Sequence, residues 1–339
     1  MADALLQQYQ TLLTPSDALI EDLSRLQGDI MILGAGGKMG PALAKLAIQA
    51  VAAAGTNSRV MAASRFSDAG LMTELQEAGI ETHPVDLLDD RQLFGLPEVE
   101  NVLYLAGMKF GTTGNEPLTW AMNAYLPGRV AAKYRNANLV AFSTGNVYPF
   151  TAVESGGATE ATLPDPVGEY AQSCLGRERI FQYASLEFGT PVLLYRLNYA
   201  IDVRYGVLLE IARTVLESRP LDLTMGYVNV IWQGDANEIA LRSLHHCTSP
   251  AKILNVTDPE TLSVRMVAEE FGHLLGKKPE FIGTEESTAL LSNATECVKL
   301  FGHPRVGIQT MLELIADWLL QGRETIRKPT HFQERKGRF

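Results

Sequence analysis

The sequence predicts an α/β protein: a Rossmann doubly wound parallel sheet with a smaller C-terminal substrate lobe. Three observations carry this reading. Short apolar runs alternate with helical stretches from residue 29 to residue 197, the rhythm of parallel strands joined by crossover helices. The first apolar run passes directly into Gly34-Ala35-Gly36-Gly37-Lys38-Met39-Gly40, a glycine turn between strand and helix. Beyond residue 200 the alternation loosens, which marks the second lobe.

Residues 3–13 and 17–26 are amphipathic, with Thr14-Pro15-Ser16 between them as stop and cap. Residues 1–27 therefore form an N-terminal helical arm. Residues 29–33 are a short apolar strand, and residues 41–54 are a small-residue helix that Gly55 ends. Residues 59–63 are a second strand, 71–78 a helix and 81–85 a third strand. Residues 102–106 are a fourth strand, followed by a helix over 120–134 and a fifth strand over 139–143. A loop rich in Gly and Pro over 151–168 leads to a helix over 169–188 and a sixth strand over 192–197. Later come helices over 207–218, 236–246, 264–275 and 308–321, and a strand over 253–256. The dinucleotide-binding domain is then 28–198, with 229–256 returning to it. The substrate lobe is 199–228 and 257–325, and 326–339 is a basic tail read as a solvated end.

The net charge of −10 argues against a broad nucleic-acid-binding face, and the 46% hydrophobic content supports a sizeable core. Cys174, Cys247 and Cys297 are widely spaced and odd in number, which fits a reducing compartment rather than a disulfide framework. The six histidines show no metal-ligand spacing, so no metal is expected. The N-terminus lacks a basic stretch followed by an apolar run, and no apolar segment has bilayer length. The expected location is cytoplasmic, with neither nucleic acid nor membrane as partner.

Glycines 34, 37 and 40 give G-x-x-G-x-x-G. Glycine permits the tight turn, lets backbone N–H groups approach a pyrophosphate and lets the helix pack closely on the sheet. Gly34, Gly37, Lys38, Met39 and Gly40 are therefore cofactor-binding candidates. The second strand ends in Ala62-Ala63-Ser64-Arg65 rather than in an acid. Ser64 and Arg65 then face the adenosine ribose. An arginine there pairs with a 2′-phosphate, so the cofactor is NADP or NAD with NADP slightly favoured; a plain surface arginine is the alternative.

From residue 29 to about 325 the chain resembles the extended short-chain dehydrogenase/reductase family, the NAD-dependent epimerase/dehydratase group. The glycine turn has that family's spacing. Val85-Asp86-Leu87-Leu88-Asp89 resembles its V-D-L-x-D segment, which implies that Asp86 contacts adenine beside Leu87. Tyr104-Leu105-Ala106-Gly107-Met108-Lys109 resembles H-x-A-x-x-K, which implies that Leu105, Ala106, Gly107 and Lys109 reach the cofactor. Asn123 matches the Asn of N-x-x-G. Ser143-Thr144-Gly145-Asn146-Val147-Tyr148 resembles S-[ST]-x-x-V-Y-G, with Pro149 in place of the glycine. Arg196-Leu197-Asn198-Tyr199 resembles R-x-x-N, which places Leu197 by the cofactor and Asn198 by the substrate. Val230–Asp235 resembles the V-x-D-[DV] stretch, with Asp235 the retained acid.

The family's catalytic Tyr-x-x-x-Lys corresponds to Tyr170-Ala171-Gln172-Ser173-Cys174. The resemblance implies Thr144 and Tyr170 as catalytic residues, with Tyr170 also at the cofactor. Cys174 stands where the lysine that lowers the tyrosine's pKa belongs. Without that cation Tyr170 keeps a pKa near about 10 and is a poor base at neutral pH. Arg177, on the same helical face, or Lys109, from the fourth strand, are the candidate substitutes. Cys174 is either an inert buried thiol or a group touching cofactor or substrate. Gly145-Asn146 replaces the Asp-Glu pair of the sugar-nucleotide 4,6-dehydratases, which argues against that dehydration.

Asn146, Asn198 and Arg204 are substrate candidates, with Tyr205, Trp232 and Arg305 as further lining residues. The leading function is an NAD(P)-dependent oxidoreductase or epimerase acting on a hydroxyl of a sugar, sugar acid or sugar nucleotide. The alternative is a dinucleotide-binding member with lost or altered catalysis that serves as a regulatory or structural subunit; a lyase or isomerase is a third reading. The helices over 120–134 and 169–188 are either a homodimer interface or a face packed inside the monomer.

Overall fold

The computed structural model describes residues 3–109, 111–326 and 328–338. Its centre is a parallel sheet of β1 (Ile30–Leu33), β2 (Val60–Ser64), β3 (Glu81–Pro84), β4 (Asn101–Tyr104), β5 (Asn138–Thr144), β6 (Val192–Leu197) and β7 (Lys252–Val256). The order across the sheet is β7-β6-β5-β4-β1-β2-β3. Every residue of β1 and β4 is buried, as expected of strands covered by helices on both faces. Only β3, at the edge, carries exposed positions. The strand order reverses between β1 and β4. In a doubly wound sheet the ligand crevice opens outside the carboxyl ends of the strands at that point.

One sheet face is covered by α2 (Asp17–Arg25) and α3 (Gly40–Ala54), and by the Gln233–Arg242 helix. The small residues Ala44, Ala47 and Ala50 let α3 lie close to the sheet. Residues 229–256 return to the sheet, supplying this helix and β7. The other face is covered by residues 116–133 and by the Gly168–Phe188 helix. The predicted 120–134 helix starts at Glu116 and contains a π turn, Ala121–Tyr125, that seats Asn123. The second lobe packs the Val207–Leu216, Val264–Leu275 and Ile308–Leu320 helices around its own apolar core. Two short helices, Asp90–Gly95 and Thr295–Phe301, were not predicted from the sequence. No helix is long and apolar enough to cross a membrane among the described residues.

Both chain ends differ from expectation. The arm is no appendage: Leu19 and Leu23 of α2 are buried in the sheet's core. In α1 (Ala4–Thr11), Tyr9 enters the core of the second lobe, its ring 5.3 Å from that of Trp318. The tail is not a solvated end. Phe332 is wholly buried, Thr330 is 3% exposed, and Arg335 donates to Thr288 O and Oγ1 at 2.9 and 2.6 Å. A lone apolar residue among charged ones has no periodicity for a sequence reading to detect, yet its burial fixes the segment.

Candidate functional site

The strand–turn–helix at residues 30–54 builds the floor of the site. Gly34 has φ +89°, and a side chain there would meet the Ala106 backbone nitrogen at 2.6 Å, so both conformation and space demand glycine. A Cβ on Gly40 would strike the Ala35 carbonyl, which is why the helix can start so close to the strand. Pro41 stands in the first turn of α3, where its missing N–H costs nothing. The positive end of that helix faces the crevice.

Two cavities meet at this turn, sharing Gly34, Gly37, Leu105 and Gly107. The smaller, about 270 Å³, runs past Ser64, Arg65, Asp86 and Leu87. The larger, about 380 Å³, runs past Lys38, Lys109, Thr144 and Tyr170 to Asn198 and Tyr205 in the second lobe. Arg65 is exposed at the rim of the smaller cavity. Asp68 caps the following helix by accepting from Gly70 and Leu71 N–H at 2.9 and 3.4 Å. No carboxylate side chain lines the larger cavity among the described residues.

Thr144 ends β5 and Tyr170 lies in the first turn of the Gly168–Phe188 helix. A buried network fixes the two elements together. Glu178, wholly buried, accepts from Ser143 Oγ at 2.6 Å and from Arg196 Nε and Nη2 at 2.9 and 2.6 Å. The bidentate pair satisfies both carboxylate oxygens and holds β5, β6 and the helix in register. The Tyr170 hydroxyl engages the Thr144 and Cys174 side chains. Burial pushes Tyr170 well above its ordinary value, beyond the unperturbed pKa expected from sequence, and the adjacent Cys174 adds to the effect. Burial likewise raises the Cys174 thiol, so this position supplies no charge.

The two candidate cations fare differently. Arg177 donates through Nη1 to Phe142 O at 2.7 Å and through Nη2 to Asn123 Oδ1 at 2.8 Å. It sits behind Gly107, outside both cavities. Lys109 lines the larger cavity with its Nζ 5.9 Å from the Tyr170 ring centre. Burial lowers its pKa to about 8. Lys38 reaches across the cavity to within 3.0 Å of the Tyr205 ring centre. Burial, with the charges of Lys109 and Lys328, lowers its pKa to about 7. Both lysines thus face one cavity with their charge weakened by burial.

Most predicted site residues line these cavities: Gly34, Gly37, Lys38, Met39, Gly40, Leu105, Gly107, Lys109, Thr144, Asn146, Tyr170, Leu197 and Asn198 the larger, and Ser64, Arg65, Asp86, Leu87 and Ala106 the smaller. Two do not. Asn123 is buried, its amide spent on Met108 O, Met108 N–H, Ser173 and Arg177, so it braces the 107–109 loop from behind. Arg204 pairs with Asp202 at 3.1 Å, away from the larger cavity's wall. Of the further lining candidates Tyr205 lines the cavity. Trp232 is core, its Nε1 donating to Leu12 O at 3.1 Å, and Arg305 pairs with Asp235 and Glu238. Asp235 is structural, accepting from Val306 N–H at 3.0 Å. Sequence reasoning missed Tyr199, Gln233 and Thr330 in the wall. Tyr199 follows the matched R-x-x-N stretch and could have been found; Thr330, in a polar tail, carries no signal.

No family model matches the chain, and no curated protein matches its sequence. Solved structures do. A UDP-glucose 4-epimerase of Thermotoga maritima, solved with UDP-glucose, superposes with a TM-score of 0.72 at 14% identity, over 87% of this chain and 99% of that one. A UDP-glucuronic acid 4-epimerase of Bacillus cereus, solved with NAD, gives 0.71 at 18% identity, over 87% and 100%. A UDP-glucose 4-epimerase of Thermus thermophilus, also with NAD, gives 0.67 at 20% identity, over 85% and 98%. The neighbours are thus covered almost whole, while this chain carries segments beyond them. The chain has the fold of these epimerases: a seven-stranded parallel Rossmann sheet with flanking helices and a smaller second lobe.

Proposed function

We propose that the chain binds NAD or NADP across the two joined cavities and catalyses oxidation–reduction, as a dehydrogenase or an epimerase, at a hydroxyl-bearing carbon of a carbohydrate-like substrate. The observation that carries the reading is the meeting of the two cavities at the Gly34–Gly40 turn, with Thr144 and Tyr170 facing the larger one. The pocket suits a dinucleotide. The glycine positions allow close backbone approach, and the buried Gln233 Nε2 in the wall has no protein partner. The turn and Lys38 would hold the pyrophosphate, and Ser64, Arg65, Asp86 and Leu87 the adenosine end. Bound there, the nicotinamide supplies hydride exchange.

The chain's own groups do the rest. Thr144 and Tyr170 position the substrate oxygen by hydrogen bonds. Tyr170 keeps its proton at neutral pH, and Lys109 Nζ, in the same cavity 5.9 Å from the Tyr170 ring centre, is the group assigned to take up the substrate's proton. The test is absorbance near 340 nm with NAD or NADP and a panel of sugars and sugar acids. Turnover on one of them, reduced about tenfold in Tyr170→Phe by the loss of one positioning hydrogen bond, supports the reading. The second reading, a dinucleotide-binding regulatory or structural subunit, draws on Cys174 in the lysine's place. Bound dinucleotide with no turnover on any of the panel would select it.

A homodimer is the assembly this reading implies. Leu118, Trp120 and Tyr125, with Tyr183, Leu186 and Phe188 of the neighbouring helix, are 38–69% exposed, so this face is not packed inside the monomer. Such an apolar patch on paired helices is the kind that a second copy covers. Sedimentation of the wild type should give a dimer and of Tyr125→Glu/Leu186→Glu a monomer; a monomeric wild type contradicts the assignment.

A further inference from the structure

We propose that the C-terminal segment, residues 328–338, is a fixed wall on the substrate side of the cavity, and that it restricts the substrate to a small carbohydrate without an attached nucleotide. The inference rests on the reading of the cavity as a dinucleotide and carbohydrate site. The larger cavity has its dinucleotide side at the glycine turn, so substrate must occupy the far end, around Asn146, Asn198 and Thr330. Asn146 also lines a separate crevice of about 20 Å³. That is room for about one water. Tyr148, Phe150 and Leu290 form one side of the crevice, and Glu334, Arg335 and Gly337 of the segment form the other.

The segment is anchored at both ends and in the middle. Thr330 donates from N and Oγ1 to Glu210 Oε2 at 2.7 and 2.6 Å. Phe332 is wholly buried in the second lobe's core. The Arg335 guanidinium bonds Thr288 and lies 4.3 Å from the Phe150 ring centre. The Gly337 backbone rests on Gly168, two residues before Tyr170. Every anchor is a satisfied hydrogen bond or a buried contact, so opening the crevice means breaking several at once. A sugar joined to a nucleoside diphosphate needs a continuous channel, and Glu334–Gly337 occupy the space past Asn146 where it would run. Arg335, in the crevice wall, directs Nη1 and Nη2 at Thr288.

The test is calorimetric titration of the full chain, loaded with whichever of NAD or NADP binds, with UDP and UDP-glucose. The dinucleotide titration is read first and reports on the preceding reading alone. The expected result is no measurable UDP-glucose binding to the loaded full chain. Binding at least tenfold stronger is expected in a chain ending at residue 333, which keeps Thr330 and Phe332, and in full-length Arg335→Ala, which keeps the whole backbone. Saturable UDP-glucose binding by the loaded full chain overturns the proposal. So does a full chain that excludes UDP-glucose when neither variant admits it.

Discussion

Lys38 and Lys109 are the residues on which the electrostatics of the cavity turn. Lys38 titrates at about 7 against an ordinary 10.5, because of burial and then of the positive charges of Lys109 and Lys328. Its folded state therefore binds fewer protons than its unfolded state between those values. The burden on stability is full below pH 7, fades as pH rises and is gone above about 10.5. Lys38→Met should stabilise the ligand-free protein at pH 6 by on the order of 1 kcal/mol after solvent screening, seen as a higher Tm, and change its stability little at pH 10.5. A phosphate group beside Lys38 favours the ammonium form. Dinucleotide binding at pH 8 should then take up close to one proton, visible as a dependence of calorimetric heat on the buffer, and Lys38→Met should abolish most of it. Lys109, lowered by burial to about 8, is charged below that value and neutral above it. As a proton acceptor it makes the oxidation rate climb through a limb near pH 8, which Lys109→Met should flatten. An unchanged limb in that variant would show that another group accepts the proton. Of this chemistry the sequence disclosed the missing cation at Cys174 and two candidates to replace it. The fold separates the two: Arg177, outside both cavities, is the cation whose charge opposes the rise in the Tyr170 pKa, while Lys109 lines the larger cavity.

At the scale of elements, strands were the most legible. Ile30–Leu33 and Val192–Leu197 lie within one residue of their predicted ends, because strands inside a parallel sheet are covered on both faces and read as mainly apolar runs; the edge strand Lys252–Val256 is as close to its prediction. Short helices were not legible. Asp90–Gly95 has too few turns to show a period, although Asp89 accepts from Arg91 and Gln92 N–H at 2.8 and 3.2 Å as its cap. The π turn that seats Asn123 has no sequence signature of its own. The arm was legible as two helices, but its partners lie far along the chain. Leu19 of α2 is completely buried, so Leu19→Ala should cost about 2–5 kcal/mol and lower the denaturation midpoint of the whole chain. A loss under about 0.5 kcal/mol would mean that the arm is dispensable after all.

Across the whole molecule, both chain ends close on the same region. Tyr9 donates to Asp202 at 2.7 Å, Arg323 pairs with Asp3, and Ile326 N–H donates to Arg204 O at 2.8 Å. The segment they clasp runs on to Tyr205, in the cavity wall, and to Glu210, which holds Thr330. Such contacts between residues far apart along the chain leave no local pattern, which is why the ends read as an arm and a tail in sequence alone. The central claim is that the crevice at the Gly34–Gly40 turn is a dinucleotide site. Calorimetric titration of the purified chain with NAD and with NADP tests it most directly, with Gly34→Ala as the comparison. The account predicts saturable binding of at least one of the two, one per chain, abolished in Gly34→Ala because the added Cβ meets the Ala106 backbone. Failure of the wild-type chain to bind either dinucleotide, or full binding by Gly34→Ala, would contradict it.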